Sequence, residues 1–126
     1  MRYPAVLALV FLGAAGGGHP QADVRGGVVY VNDVARWPET PLRYSITSPL
    51  VWSRRGDALA FAARATGGGA TLVVLLVEPG GATQSLEWPI PATAQPARAV
   101  TWLGPTRVGT GPSALEPRAT ASWVTR

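Results

Sequence analysis

Proline and glycine cut this chain so often that a helix has almost nowhere to form. Beyond residue 22 the longest stretches free of both are 28–37 and 57–66, and each falls short of three helical turns, about 11 residues. An interior proline removes a helical hydrogen bond and clashes with the preceding turn, while glycine costs backbone entropy. What remains is a series of short apolar runs separated by turn residues, the pattern of β-strands.

The runs differ in kind. Val28-Val29-Tyr30-Val31 is β-branched and aromatic, and Leu42, Tyr44 and Ile46 alternate with polar neighbours as a half-buried strand does. Ala58 to Arg64 sets Leu59, Phe61 and Ala63 on one face. Thr71 to Val77 is apolar throughout, which predicts a central strand covered on both sides. Between them lie Arg54-Arg55-Gly56-Asp57, Thr66-Gly67-Gly68-Gly69 and Pro79-Gly80-Gly81, turns in which glycine supplies positive φ cheaply. Residues 50–90 therefore read as a four-strand meander ending in Ser85 to Ile90. The pattern restarts at Ala99 to Gly104 after a linker at 91–96, and Ala119 to Thr125 forms the last strand. Val51-Trp52 and Thr101-Trp102 lie about fifty residues apart, a repeat period of blade size. The expected fold is all-β, with short antiparallel strands in two packed sheets, either sandwich-like or as two propeller-type blades.

The first residues carry one arginine, an apolar run from Ala5 to Ala15 and three glycines, the layout of a secretory signal peptide. The run is too short for a spanning helix, which needs about 20 apolar residues. The reading is a signal at 1–22 and one small β domain at 23–126, exported to the periplasm or the extracellular space; a cut between Gly16 and Gly18 is the alternative. The domain has no Cys, so burial and hydrogen bonding must supply what disulfides give many small exported domains.

All eleven basic residues are Arg, and the net charge is +4. The arginines are scattered, with Arg54-Arg55 the only adjacent pair, whereas a nucleic-acid binder concentrates charge on one face. Nucleic acid is not an expected partner. The single His is His19, within the leader, so the mature chain has neither the base of a Ser-His-Asp triad nor a thiol nucleophile. Zinc would have only carboxylates to bind it, and Gly67-Gly68-Gly69 lacks the lysine and following helix of a phosphate loop. No catalytic residue, metal or cofactor is expected. A carboxylate pair cleaving glycosides is the enzymatic alternative, although the spacing of the seven acidic residues selects no pair.

The segment Trp52-Ser53-Arg54-Arg55-Gly56-Asp57-Ala58-Leu59-Ala60-Phe61 resembles the blade motif of TolB-like β-propeller repeats, in which Trp-Ser, a Pro-Asp-Gly turn and Leu-Ala-Phe follow one another. Trp52, Ser53, Gly56, Leu59, Ala60 and Phe61 match; Arg54-Arg55 stands where that motif has Pro-Asp, removing the aspartate that commonly braces the turn. The resemblance implies an interaction platform of the cell envelope. Propellers close with four or more blades, so a chain of this length would need further copies of itself, or would be a remnant of a longer ancestor without activity of its own.

The expected function is non-catalytic binding of a protein or envelope component. Trp52 and Trp102 lie among apolar neighbours and are assigned to the core. Trp37 and Trp88 each adjoin a proline and a charged residue, and are expected on an exposed edge facing the partner. Arg54 and Arg55 are expected at a solvated hairpin tip available to an acidic partner.

Overall fold

The computed structural model describes residues 21–40 and 43–124. The leader expectation falls almost wholly outside the described residues. Among the described residues eleven strands form three antiparallel sheets, as the all-β reading requires. The first sheet is β1 (Ala22–Arg25), β2 (Val28–Val31) and β3 (Val34–Trp37). The middle sheet runs in the order β4 (Tyr44–Ile46), β6 (Ala58–Ala65), β7 (Ala70–Val77), β8 (Thr83–Pro89), with β5 (Val51–Trp52) also on β6. The third sheet is β9 (Ala99–Gly104), β10 (Arg107–Gly111) and β11 (Ala119–Ser122). The expected meander is β5-β6-β7-β8, and all three expected glycine turns join its strands.

Where two sheets were expected there are three, because both faces of the central hairpin need cover. On β6 the alternation of a strand sends Leu59, Phe61 and Ala63 to one side and Ala58, Ala60 and Ala62 to the other; β7 divides into Val73 and Leu75 against Leu72 and Val74. The first set packs on Val29, Val31 and Trp37 of the first sheet. The second packs on Val100, Val108 and Ala121 of the third, with Ile90, Ala94 and Ala97 from the connection. The alanine face of β6 carried little hydrophobic signal of its own, and the expected two-sided cover of residues 71–77 is what the third sheet completes.

The β4–β5 break is bridged locally. Between Ile46, paired with Ala63, and Val51, paired with Ala60, the N–H of Ala62 donates to Ser48 Oγ at 2.8 Å, and Thr47 N–H donates to Ala62 O at 2.9 Å. Neither group of Ala62 is left unpaired in the core, where an unmade bond costs about 1–3 kcal/mol.

Side chains about fifty residues apart tie the layers together. Trp37 Nε1 donates to Glu87 Oε2 at 3.0 Å, fifty residues on; Thr47 Oγ1 donates to Ala97 O at 2.8 Å, also fifty on; Trp102 Nε1 donates to Val51 O at 3.0 Å across fifty-one. The strands correspond in the same period. β3 and β8 both reach a Trp-Pro, and β5 and β9 both carry a tryptophan before a turn.

The placement of the tryptophans corrects the sequence reading. Trp37, expected on an exposed edge, is 1% exposed. A register shift between Val29 and Tyr30 pairs Trp37 with Val29, and residues paired across an antiparallel ladder share a face, so the ring turns inward despite its polar neighbours. There it meets Tyr44 at 4.5 Å and Phe61 at 5.0 Å between ring centroids. Trp52, Trp88 and Trp102 are half-buried. Truncating a fully buried Trp costs about 3–5 kcal/mol, enough to unfold a domain of marginal stability. In urea melts, Trp37→Ala should therefore lose the cooperative transition or shift it far more than Trp88→Ala; equal shifts would contradict this layering.

Candidate functional site

The turns between β2 and β3, β5 and β6, β7 and β8, and β9 and β10 gather at one end of the three-sheet stack. Asn32, Gly56, Glu78, Gly81 and Pro105, drawn from all of them, line one cleft of about 660 Å³, with Trp123 at its wall. A second cleft of about 650 Å³ lies beside it, between the β5–β6 turn and the β9–β10 turn, lined by Ser53, Arg54, Arg55, Asp57 and Trp102 on to Thr106. This second cleft contains the two arginines expected to meet a partner.

The arginine turn is rigidly built. Ser53 N–H donates to Ala58 O at 2.8 Å, Gly56 N–H to Ser53 O at 2.9 Å, and Gly56 takes φ +74°, a region an L side chain enters only with strain. Ser53 Oγ donates to Asp57 Oδ1 at 2.8 Å and accepts from Ala58 N–H at 3.2 Å. The turn thus has its bracing aspartate, supplied after the glycine instead of before it; the loss of a brace expected from Arg54-Arg55 is corrected by Asp57.

Buried Ser53 and Gly56 hold the loop while Arg54 and Arg55 stand exposed at its tip. Among the described residues the ion pairs are those of Arg25 with Asp23 and Asp33, so neither Arg54 nor Arg55 has an acidic partner there. Trp102 forms the opposite wall, its ring held by the bond to Val51 O and by edge contact with Trp123 at 5.8 Å. Two guanidinium forks beside an aromatic wall suit a carboxylate-bearing ligand, because arginine binds carboxylates in bidentate fashion.

The four residues expected to bind a partner are not brought together. Arg54 and Arg55 line the cleft, Trp37 is in the core, and Trp88 lies in the interface with the third sheet, 5.8 Å from Trp123. Sequence reasoning assigned Trp102 wholly to the core and missed it as a cleft wall; its position just before the turn from β9 to β10 was the available signal. Of the carboxylates, Asp57 and Glu78 line the larger cleft together, but Asp57 is engaged by Ser53. Among the described residues no three His, Cys, Asp or Glu side chains are grouped to hold a metal.

No family model, curated protein or solved structure matches this chain.

Losing the Ser53 hydroxyl removes both turn bonds. Ser53→Ala should lower stability by about 1–3 kcal/mol, the cost of leaving a buried donor unpaired, and Asp57→Asn by less, since an amide oxygen still accepts from the hydroxyl. Chemical denaturation checks both, and a larger effect for Asp57→Asn would refute the assigned order.

Proposed function

We propose that this is a non-catalytic, exported β domain that binds an acidic segment of a protein or cell-envelope component in the cleft between Arg54-Arg55 and Trp102. One observation carries the reading: two adjacent arginines without acidic partners among the described residues stand over a formed cleft with an aromatic wall. Salt bridges between exposed side chains are individually weak. A pair of forks on a braced turn loses less conformational freedom on binding and so retains more of its Coulomb energy. The TolB-like resemblance of residues 52–61 supports the same role, since it implies an interaction platform, and the gathering of turns from three sheets at one end provides a surface for it.

The test is equilibrium binding to polyglutamate at low and at near-physiological salt. The wild-type chain should bind, with affinity falling as salt rises. Arg54→Ala/Arg55→Ala should weaken binding by about tenfold or more, the equivalent of one to two charge-assisted hydrogen bonds. Unchanged affinity in the double variant would overturn the proposal.

A further inference from the structure

The cleft between the β5–β6 and β9–β10 turns is not uniformly basic. Beside Arg54 and Arg55 it holds the carboxylate of Asp57, whose Oδ1 accepts from Ser53 Oγ at 2.8 Å. Among the described residues Asp57 Oδ2 has no hydrogen bond or ion pair, and neither has the hydroxyl of Thr106 on the facing turn. A carboxylate accepts and never donates, whereas a guanidinium only donates. The cleft therefore asks for a ligand donor at Asp57 close to a ligand acceptor at the arginines.

Asp57 is fixed where it stands. Its main-chain carbonyl accepts from Val77 N–H at 2.9 Å, continuing the β6–β7 register one step past the pair of Ala58 and Leu76, and the Ser53 bond holds the side chain. An approaching anion meets a negative charge that moves aside only by breaking that bond. A run of consecutive carboxylates is thus attracted by the arginines and opposed by Asp57. The larger cleft continues the pattern. It shares Asp57 and Pro105 with the arginine cleft, and the Glu78 carboxylate on its wall has no partner among the described residues. The turn carrying Glu78 is closed by bonds from Glu78 N–H to Ala82 O and from Gly81 N–H to Glu78 O, each 2.8 Å.

The other walls of the arginine cleft are apolar. Trp102 is held by its bond to Val51 O, and Leu103 and Pro105 beside it are exposed. A fixed aromatic body with a few polar groups around it suits a ligand that is itself apolar on one face and polar at its rim. A pyranose ring has that form, and a hexuronate adds a carboxylate to hydroxyls that donate. A glutamate side chain has the carboxylate alone.

We infer that the arginine cleft takes a hexuronate ring of an acidic polysaccharide. The ring carboxylate lies in the forks of Arg54 and Arg55, one hydroxyl donates to Asp57 Oδ2, another bonds Thr106 Oγ1, and the C–H face packs on Trp102. The next ring continues into the larger cleft, where its hydroxyls meet Glu78. This names the ligand class for the carboxylate-binding reading given above and rests on it; Arg54 and Arg55 test that reading, whereas Asp57 and Thr106 test the ligand class.

The experiment is isothermal titration of the full chain, at equal ionic strength, with trigalacturonate, galacturonate, neutral galactotriose and a triglutamate peptide capped at both ends. Trigalacturonate should bind about tenfold more tightly than triglutamate, the equivalent of one hydrogen bond to a charged group. Galacturonate should bind more weakly than its trimer, and galactotriose should not bind. Asp57→Asn keeps an acceptor for Ser53 and removes the opposing charge, so it should strengthen triglutamate binding and remove most of the difference between the two trianions. Thr106→Val should weaken trigalacturonate by about fivefold, as for one neutral hydrogen bond, and leave triglutamate unchanged. The ligand comparison on the unmutated chain stands whether or not either variant folds. Trigalacturonate binding no tighter than triglutamate, a preference unchanged in Asp57→Asn, or galacturonate binding as tightly as its trimer would overturn the inference and leave the arginine reading intact. Arg54→Ala/Arg55→Ala binding both trianions as the unmutated chain does would overturn that reading, and the inference with it.

Discussion

A strand with no solvent face can exist only inside a stack, and six consecutive residues of β6, Ala58 to Ala63, are buried. Its partner β7 is buried from Leu72 to Leu75. Antiparallel sheets commonly leave one face to water; this hairpin leaves neither, so a layer must cover each side. The flanking sheets are that cover, and the convergence of turns at one end, with its two clefts, follows from stacking three meanders in the same phase.

The two interfaces reach closure differently. Against the first sheet, Leu59, Phe61, Val73 and Leu75, with Tyr44 of β4 beside them, meet Val29, Val31 and Trp37, so large side chains fill the space and the indole N–H finds Glu87. Against the third sheet, β6 offers alanines, with Ala94, Ala97 and Ala121 beside them. Small residues there leave room for Trp88, Trp102 and Trp123 at the rim. Trp102 at that rim has one side against the core and another along the arginine cleft, so the wall of the proposed binding site is set by the packing of the third layer.

Much of the architecture was legible because its signals are local. The glycine turns, the continuous apolar run of β7 and the restart near Ala99 each mark an element within a few residues. The third sheet was signalled only in part: the apolar run of β7 called for cover on both sides, but the alanine face of β6 resembles a polar or neutral position until something packs on it, and two sheets were expected. The burial of Trp37 was not legible, since its local context of Arg36 and Pro38 suggests solvent; a register shift in the β2–β3 pairing decides its direction, and pairing is a non-local property. In the site, Arg54 and Arg55 were legible as an exposed tip, whereas Trp102 as their opposite wall depends on how the third sheet stacks on the second. The Asp57 brace was visible in the sequence but displaced by two positions from the TolB-like pattern.

The middle hairpin is covered on both faces, and native-state hydrogen exchange measures this residue by residue. The amides of Leu59 to Ala63 and Leu72 to Leu75 should exchange slowest, opening only with global unfolding, while those of β1 exchange through local fluctuation. If β6 and β7 exchanged as fast as β1 under native conditions, the middle sheet would not be the enclosed layer described, and the site built on its turns would lose its support.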